Sequence, residues 1–350
     1  MSKKTIMLSS PKVTLDLNAH THCEVKRNSI SSPSPDGRIG VLLILALSMI
    51  NIGLWLVGVA IIGRHHGFLA LAFLAWSFGL RHALDADHIA AIDLVTRRLM
   101  ESRKSVTLVG FFFSSGHSCV VTLACLALFF LPSHAWLDQA HLLGGYIGTT
   151  ISILFLGITA IANMLAFHAQ CHRADDTSVA GTTGILTRTF GRVVNLVDRD
   201  VYMFPLGFLF GLGFDTATEI GLLGLASSNA TNELGMICFL LLPAFFASGM
   251  ALMDSLDNVL MVRAWQWSGT SPKRRATYTK VVTILSSVAA VGVALIELVQ
   301  LANGSSLVPV ALQTIAKVAN EHFQALGTGL IVTFLCVWGG ASLYPARPRS

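Results

Sequence analysis

The sequence predicts an all-α membrane protein of about eight transmembrane helices. Three observations carry that expectation: the scarcity of charge, the length of the apolar runs and the placement of the positive residues. Of 350 residues 53% are hydrophobic and only 12% are charged, against about 25% charged in a soluble domain. Mean hydropathy is +0.66. A helical span needs about 20 mostly apolar residues, and eight stretches qualify. They run near 39–63, 67–94, 106–131, 143–167, 203–225, 236–262, 281–301 and 323–343.

Lysine and arginine concentrate in cytoplasmic loops. With the N-terminus inside, 21 of the 24 fall in cytoplasmic segments, from Lys3 through Arg97, Arg173 and Lys273 to Arg349. Only Arg64 and Lys317 fall outside, and Arg81 lies within a span. Both termini are therefore expected in the cytoplasm, and the net charge of +5 reports topology, excluding a nucleic-acid partner. Residues 1–38 read as a disordered cytoplasmic tail, residues 39–345 as the membrane domain and residues 346–350 as a short cytoplasmic end. The six cysteines form no Cys-x-x-Cys pair, which argues against a disulfide framework or a thiolate zinc site.

An internal repeat is expected. Phe78-Gly79-Leu80 in the second span recurs as Phe210-Gly211-Leu212 in the fifth, an offset of 132 that sets Asp87 on Glu219. Phe112-Phe113-Ser114-Ser115-Gly116 recurs as Phe245-Phe246-Ala247-Ser248-Gly249, an offset of 133. Three spans separate the copies, so spans two to four and five to seven would be inverted relative to each other, a plan of secondary transporters.

The chemistry concentrates in Arg81-His82-Ala83-Leu84-Asp85-Ala86-Asp87-His88 of the second span. An ionisable group at membrane depth costs at least about 2.5–3.5 kcal/mol, so such a cluster must face a partner, an ion or a cavity. On a straight helix Arg81, His82, Asp85 and His88 fall within roughly 120°, while Asp87 sits about 100° from His88. Asp87 can join them only if the helix is distorted, or acts through another residue. Imidazole with carboxylate suits a borderline divalent transition metal, whereas magnesium and calcium prefer all-oxygen sites. The competing reading is a buried His–Asp–Arg network that holds helices together.

Other spans supply matching groups: His117 after Phe-Ser-Ser-Gly, Asp215 and Glu219 in Gly213-Phe214-Asp215-Thr216-Ala217-Thr218-Glu219, and Asp254 with Asp257 in the sixth span. Asn163 and Glu297 lie in the fourth and seventh. His20-Thr21-His22-Cys23 and Cys171-His172 are read as accidents of composition. No Gly-x4-Gly-Lys-Ser/Thr loop is present, so direct ATP drive and an ATPase function are not indicated.

With Arg81–Ile89, Gly116-His117-Ser118, Leu209–Glu219 and Gly249–Asp257, the sequence resembles the nickel/cobalt transporter family of bacterial and fungal permeases. The family's His-x4-Asp-His pattern falls on His82, Asp87 and His88. The resemblance covers residues 39–345 and implies an eight-span permease of the cytoplasmic membrane that takes up Ni2+ or Co2+ as substrate, with no cofactor. It implies metal-handling roles for His82, Asp85, Asp87, His88, His117, Asp215 and Glu219, followed by Asp254 and Asp257. Leu84 stands where members often carry Val or Phe, leaving the choice between nickel and cobalt open. Two other classes stand beside importer. A metal exporter is one, although exporters related to this family carry a long His-rich loop that this chain lacks. An intramembrane metalloenzyme is the other, without the His-Glu-x-x-His or His-x-x-His-His signatures to support it.

Overall fold

Apolar sequence of this kind can satisfy its backbone in lipid only by coiling into helices or closing a barrel, and a computed structural model shows helices. It describes residues 36–62, 66–102, 104–130, 134–172, 197–213, 216, 220, 221, 223, 236–268, 272–302 and 308–343. Among these there are ten α-helices and no strand: α1 (Asp36–Ile62), α2 (His66–His82), α3 (Ala86–Glu101), α4 (Val109–Phe130), α5 (His134–His172), α6 (Met203–Phe210), α7 (Met236–Ser268), α8 (Pro272–Leu301), α9 (Val310–Glu321) and α10 (Phe323–Leu343). Six of them are long and apolar enough to cross a membrane, and α2 and α6 are shorter apolar helices.

Burial sorts the helices into centre and periphery. Half of the apolar window of α7 is buried, against 17% for α1 and for α10. Accordingly α7 packs against α1, α2, α3 and α4, and α4 also packs on α6 while α5 runs along α8. Large apolar side chains on the outside, such as Met49, Leu56, Phe130 and Leu143, are exposed, as a lipid-facing surface requires.

Two features depart from eight uninterrupted spans. The second apolar run breaks at Ala83-Leu84-Asp85, so that α2 stops at His82 and α3 restarts at Ala86. The fifth breaks likewise after α6, at Gly211-Leu212-Gly213. The amphipathic helix α9 occupies what the charge count treats as an outside loop.

The breaks settle the register of the repeat. In the first, Ala83 N donates to Gly79 O (3.2 Å), Leu84 N to Arg81 O (3.1 Å) and Asp85 N to His82 O (3.0 Å). In the second, Gly211 N donates to Gly207 O (2.8 Å), Leu212 N to Leu209 O (3.3 Å) and Gly213 N to Phe210 O (2.9 Å). Every pair is shifted by 128, one helical turn less than the expected 132. Packing agrees. A Cβ on Gly79 would run into the Phe246 carbonyl, and one on Gly207 into that of Phe113. The α2–α7 crossing thus maps onto the α6–α4 crossing, an internal two-fold in which Phe113 and Phe246 keep their offset of 133. The correct register sets Asp87 on Asp215, not Glu219, and His88 on Thr216. A four-residue slip turns a helix by only about 40°, so apolar identities alone could not tell the two registers apart.

These glycines let backbones touch, as small residues do in membrane bundles. Gly79→Val should lower the thermal stability of the detergent-solubilised protein by at least about 1–3 kcal/mol, the usual cost of overpacking. Gly157→Val, which meets nothing within 4 Å, should leave the melting temperature unchanged.

Candidate metal centre

The first break builds the site. His82 is the last residue of α2, Asp85 occupies the N-cap position of α3, and Asp87 and His88 lie in the first turn of α3. Asp87 Oδ1 accepts the backbone N–H of His88 at 2.9 Å, placing its negative charge where a helix start presents free N–H groups. α4 brings His117 to the same place. The three ring centroids stand 4.7 Å apart pairwise, and one ligand nitrogen from each ring lies within 4.8 Å of the others. All three histidines are almost completely buried.

The local bonding is compatible with a ligand set. His82 Nε2 faces His117 Nε2 at 2.9 Å, and Thr216 Oγ1 lies 3.0 Å from the same His117 nitrogen. Metal–imidazole bonds of about 2.1 Å put neighbouring ligand nitrogens about 3.0–3.4 Å apart, so small rotations suffice. On the far side of its ring, His82 Nδ1 meets Asp85 Oδ2 at 3.2 Å. A carboxylate in that position orients the imidazole and raises its basicity toward a metal. The buried Nδ1 atoms of His88 and His117 and the Oδ1 of Asp85 have no hydrogen-bond partner. Buried polar atoms are almost always paired, so these three orphans leave donor and acceptor capacity for a ligand.

A cavity of about 330 Å³, mouth included, joins these side chains to residues of the second break, α5 and α8. Gly213 and Thr216 reach it from the second break, Thr149 and Ser152 from α5, and Glu297 from α8. Ser152 Oγ lies 2.9 Å from both carboxylate oxygens of Glu297. Aromatic rings pack against the histidines: Phe113 stands 4.9 Å from His88 and Phe246 5.7 Å from His82, centroid to centroid.

The expected site residues divide accordingly. His82, Asp85, Asp87, His88 and His117 line one cavity. Asp215 and Glu219 lie outside the described residues, as does His20-Thr21-His22-Cys23. Asp254 is buried on α7 with neither carboxylate oxygen hydrogen-bonded, within electrostatic reach of His82, Asp85 and Asp87. Asp257 lines a different cavity. Arg81 does not join the cluster; it is exposed, with its guanidinium 5.4 Å over the Phe78 ring, about 100° around α2 from the inward-facing His82. Thr149, Ser152, Thr216 and Glu297 were not among the expected site residues. Glu297 alone carried a signal, as the one acidic residue of its span.

A multi-pass helical membrane protein whose broken helix gathers three imidazoles and two carboxylates around one buried cavity belongs to the class of membrane-embedded transition-metal handlers. Comparison narrows this. The chain belongs to the high-affinity nickel-transport protein family, whose profile matches residues 68–344. It is 36% identical over 330 residues to the high-affinity nickel transport protein of Cupriavidus necator, covering 90% of this chain and 93% of the relative. It is 36% identical to the nickel transporter NixA of Staphylococcus aureus, over 87% of this chain and 92% of that one. The cobalt transport protein NhlF of Rhodococcus rhodochrous is 35% identical, over 79% and 83% respectively. No solved structure matches. The family is one of transporters, so the enzymatic alternative falls away.

Asp85→Asn should weaken Ni2+ binding by the purified protein about 10–100-fold, the usual effect of losing the carboxylate that orients a ligating histidine. Equilibrium dialysis reads it; unchanged affinity would remove Asp85 from the site.

Proposed function

We propose that this chain imports Ni2+, with Co2+ as second substrate, across the cytoplasmic membrane. Residues 1–38 and 346–350 are then cytoplasmic tails of a permease domain spanning 39–345. The observation that carries the reading is the meeting of His82, His88 and His117, three ring nitrogens within 4.8 Å, at a break inside a membrane-type helix bundle. The names of the family and of the relatives, for nickel and for cobalt transport, support the cargo.

In this mechanism the dication exchanges part of its water for the three imidazoles, while Asp85 holds His82 in register. Asp87, on the rim beside His88, supplies negative charge, and Asp215 and Glu219 supply it from the other half. Asp254 and Asp257 act on the ion beyond the triad. The two breaks, related by the internal two-fold, are the places where the helices can bend between an outward-open and an inward-open form. No nucleotide is needed. Each elementary charge moving inward gains about 2.3 kcal/mol per 100 mV, so a dication gains about 4.6 kcal/mol, or roughly 10³-fold accumulation. The protein's partners are the metal ion and the surrounding lipid, without an ATPase subunit.

Cells expressing His88→Ala at the wild-type protein level should lose most uptake of radioactive nickel; uptake at the wild-type rate would remove the proposed site. Wild-type uptake should fall with graded Co2+ more steeply than with Mn2+, because imidazole binds cobalt more strongly than manganese.

A further inference from the structure

A second cavity, of about 300 Å³ with its open mouth included, lies between α7 and α10. Leu260, Ala264, Ile331, Phe334 and Leu335 make most of its wall, and its only charged lining residue among those described is Asp257. Asp257 is 8% exposed, and its Oδ2 has no hydrogen-bond partner. An apolar chamber is a costly place for a carboxylate, and within a membrane such a residue marks an ion path by default. The thioether of Met261 also lines the chamber and is itself a possible metal ligand.

Two observations join this chamber to the imidazole site. Asp254 lies one turn earlier on α7, about 4.5 Å along the axis and on the same side as Asp257. It is buried with both oxygens unpaired and within electrostatic reach of Asp257 and of His82, Asp85 and Asp87. A third acidic residue, Asp93 of α3, is occupied. Arg97 grips it through Nε at 2.9 Å and Nη2 at 2.6 Å. The same guanidinium reaches the second chamber, 4.0 Å from Met261 Sδ and 5.4 Å from the Phe334 ring centre.

We propose that Asp257 and its chamber form a second, weaker cation station, reached from the imidazole site past Asp254 and lying on the release side. The inference rests on the import reading, which supplies its direction. Continuing past Asp257, α7 reaches Arg263, and the next helix, α8, opens on the basic run Lys273, Arg274, Arg275 and Lys280, the side that positive charge assigns to the cytoplasm. The chemistry supports weak binding. The first site offers three imidazoles; the second offers one carboxylate and a thioether, with the fixed positive charge of Arg97 at its edge repelling a dication. A station that lets go needs that difference.

The test separates binding from transport. Full-length protein in lipid nanodiscs is titrated with Ni2+, and the same variants are assayed for nickel uptake in cells. Asp257→Asn should keep the tight equivalent at wild-type affinity yet lose uptake at least tenfold, whereas His88→Ala should lose both. Leu260→Trp, which fills the chamber and leaves every carboxylate in place, should also block uptake while sparing binding. Wild-type uptake by both variants would overturn the second station and leave the import reading intact. Loss of tight binding in Asp257→Asn would place that carboxylate in the first site and overturn the inference equally. A wild-type protein that neither binds nor imports nickel would sink the import reading itself.

Discussion

Three imidazoles can meet at one point here only because a helix stops. In an unbroken helix His82 and His88 would stand about 9 Å apart along the axis and about 120° apart around it. Neither ring could then approach the other, and Asp87 would face away from both. Ending α2 at His82 and restarting at Ala86 brings the ring centroids to 4.7 Å. The backbone left unpaired by such a break cannot face lipid, so it must be sheltered. α10 shelters it: a Cβ on Gly327 would run into the Leu84 carbonyl. The site, the central position of α7 and the close glycine contacts all follow from holding that interruption inside the bundle.

The internal two-fold repeats the break without repeating its chemistry. His82 corresponds to Phe210, His88 to Thr216 and His117 to Met250, so every nitrogen donor of the triad comes from the first copy. The second copy reproduces the shape. The Phe210–Phe113 ring contact at 5.4 Å mirrors that of His82 with Phe246 at 5.7 Å, and Gly148 of α5 lies against Leu212 and Gly213 of the second break. One half therefore holds the three imidazoles, and the other offers a matching break, with Thr216 touching His117. This division suits a protein whose halves move relative to a bound ion, because the ligands travel as one unit.

Much of this was legible before any coordinates. Composition and apolar run length announced a helical membrane protein, and the density of charge between Arg81 and His88 marked the site. The same density posed a geometric problem at Asp87 that called for a distorted helix or for action through another residue, and the structure contains a distortion there. What stayed hidden depends on contacts between distant segments. Gly79 finds its counterpart in Gly207 through the carbonyls they touch, not through the apolar letters around them. Glu297 could be seen as expensive, yet nothing in its span says that it faces Ser152 and the histidines. The amphipathic stretch Val310–Glu321 is too short for a span, and so it passed for a loop.

Ligand chemistry also bears on how narrowly such a cavity can choose. For a given set of nitrogen and oxygen donors, affinity rises from manganese through cobalt and nickel to copper, so softness alone never singles out nickel. Cobalt and nickel are neighbours in that order, and three imidazoles flanked by Asp85 and Asp87 accept either. Discrimination between them must come from coordination geometry, from how far the rings can turn and where oxygen donors stand around the open positions. Thr216, Asp87 and Glu297 border the same cavity, Thr216 and Asp87 beside the two breaks and Glu297 on the continuous helix α8. Small changes at the two breaks can therefore shift the preferred ion while the histidines stay in place, and relatives named for nickel and for cobalt at nearly the same identity are what such a design allows.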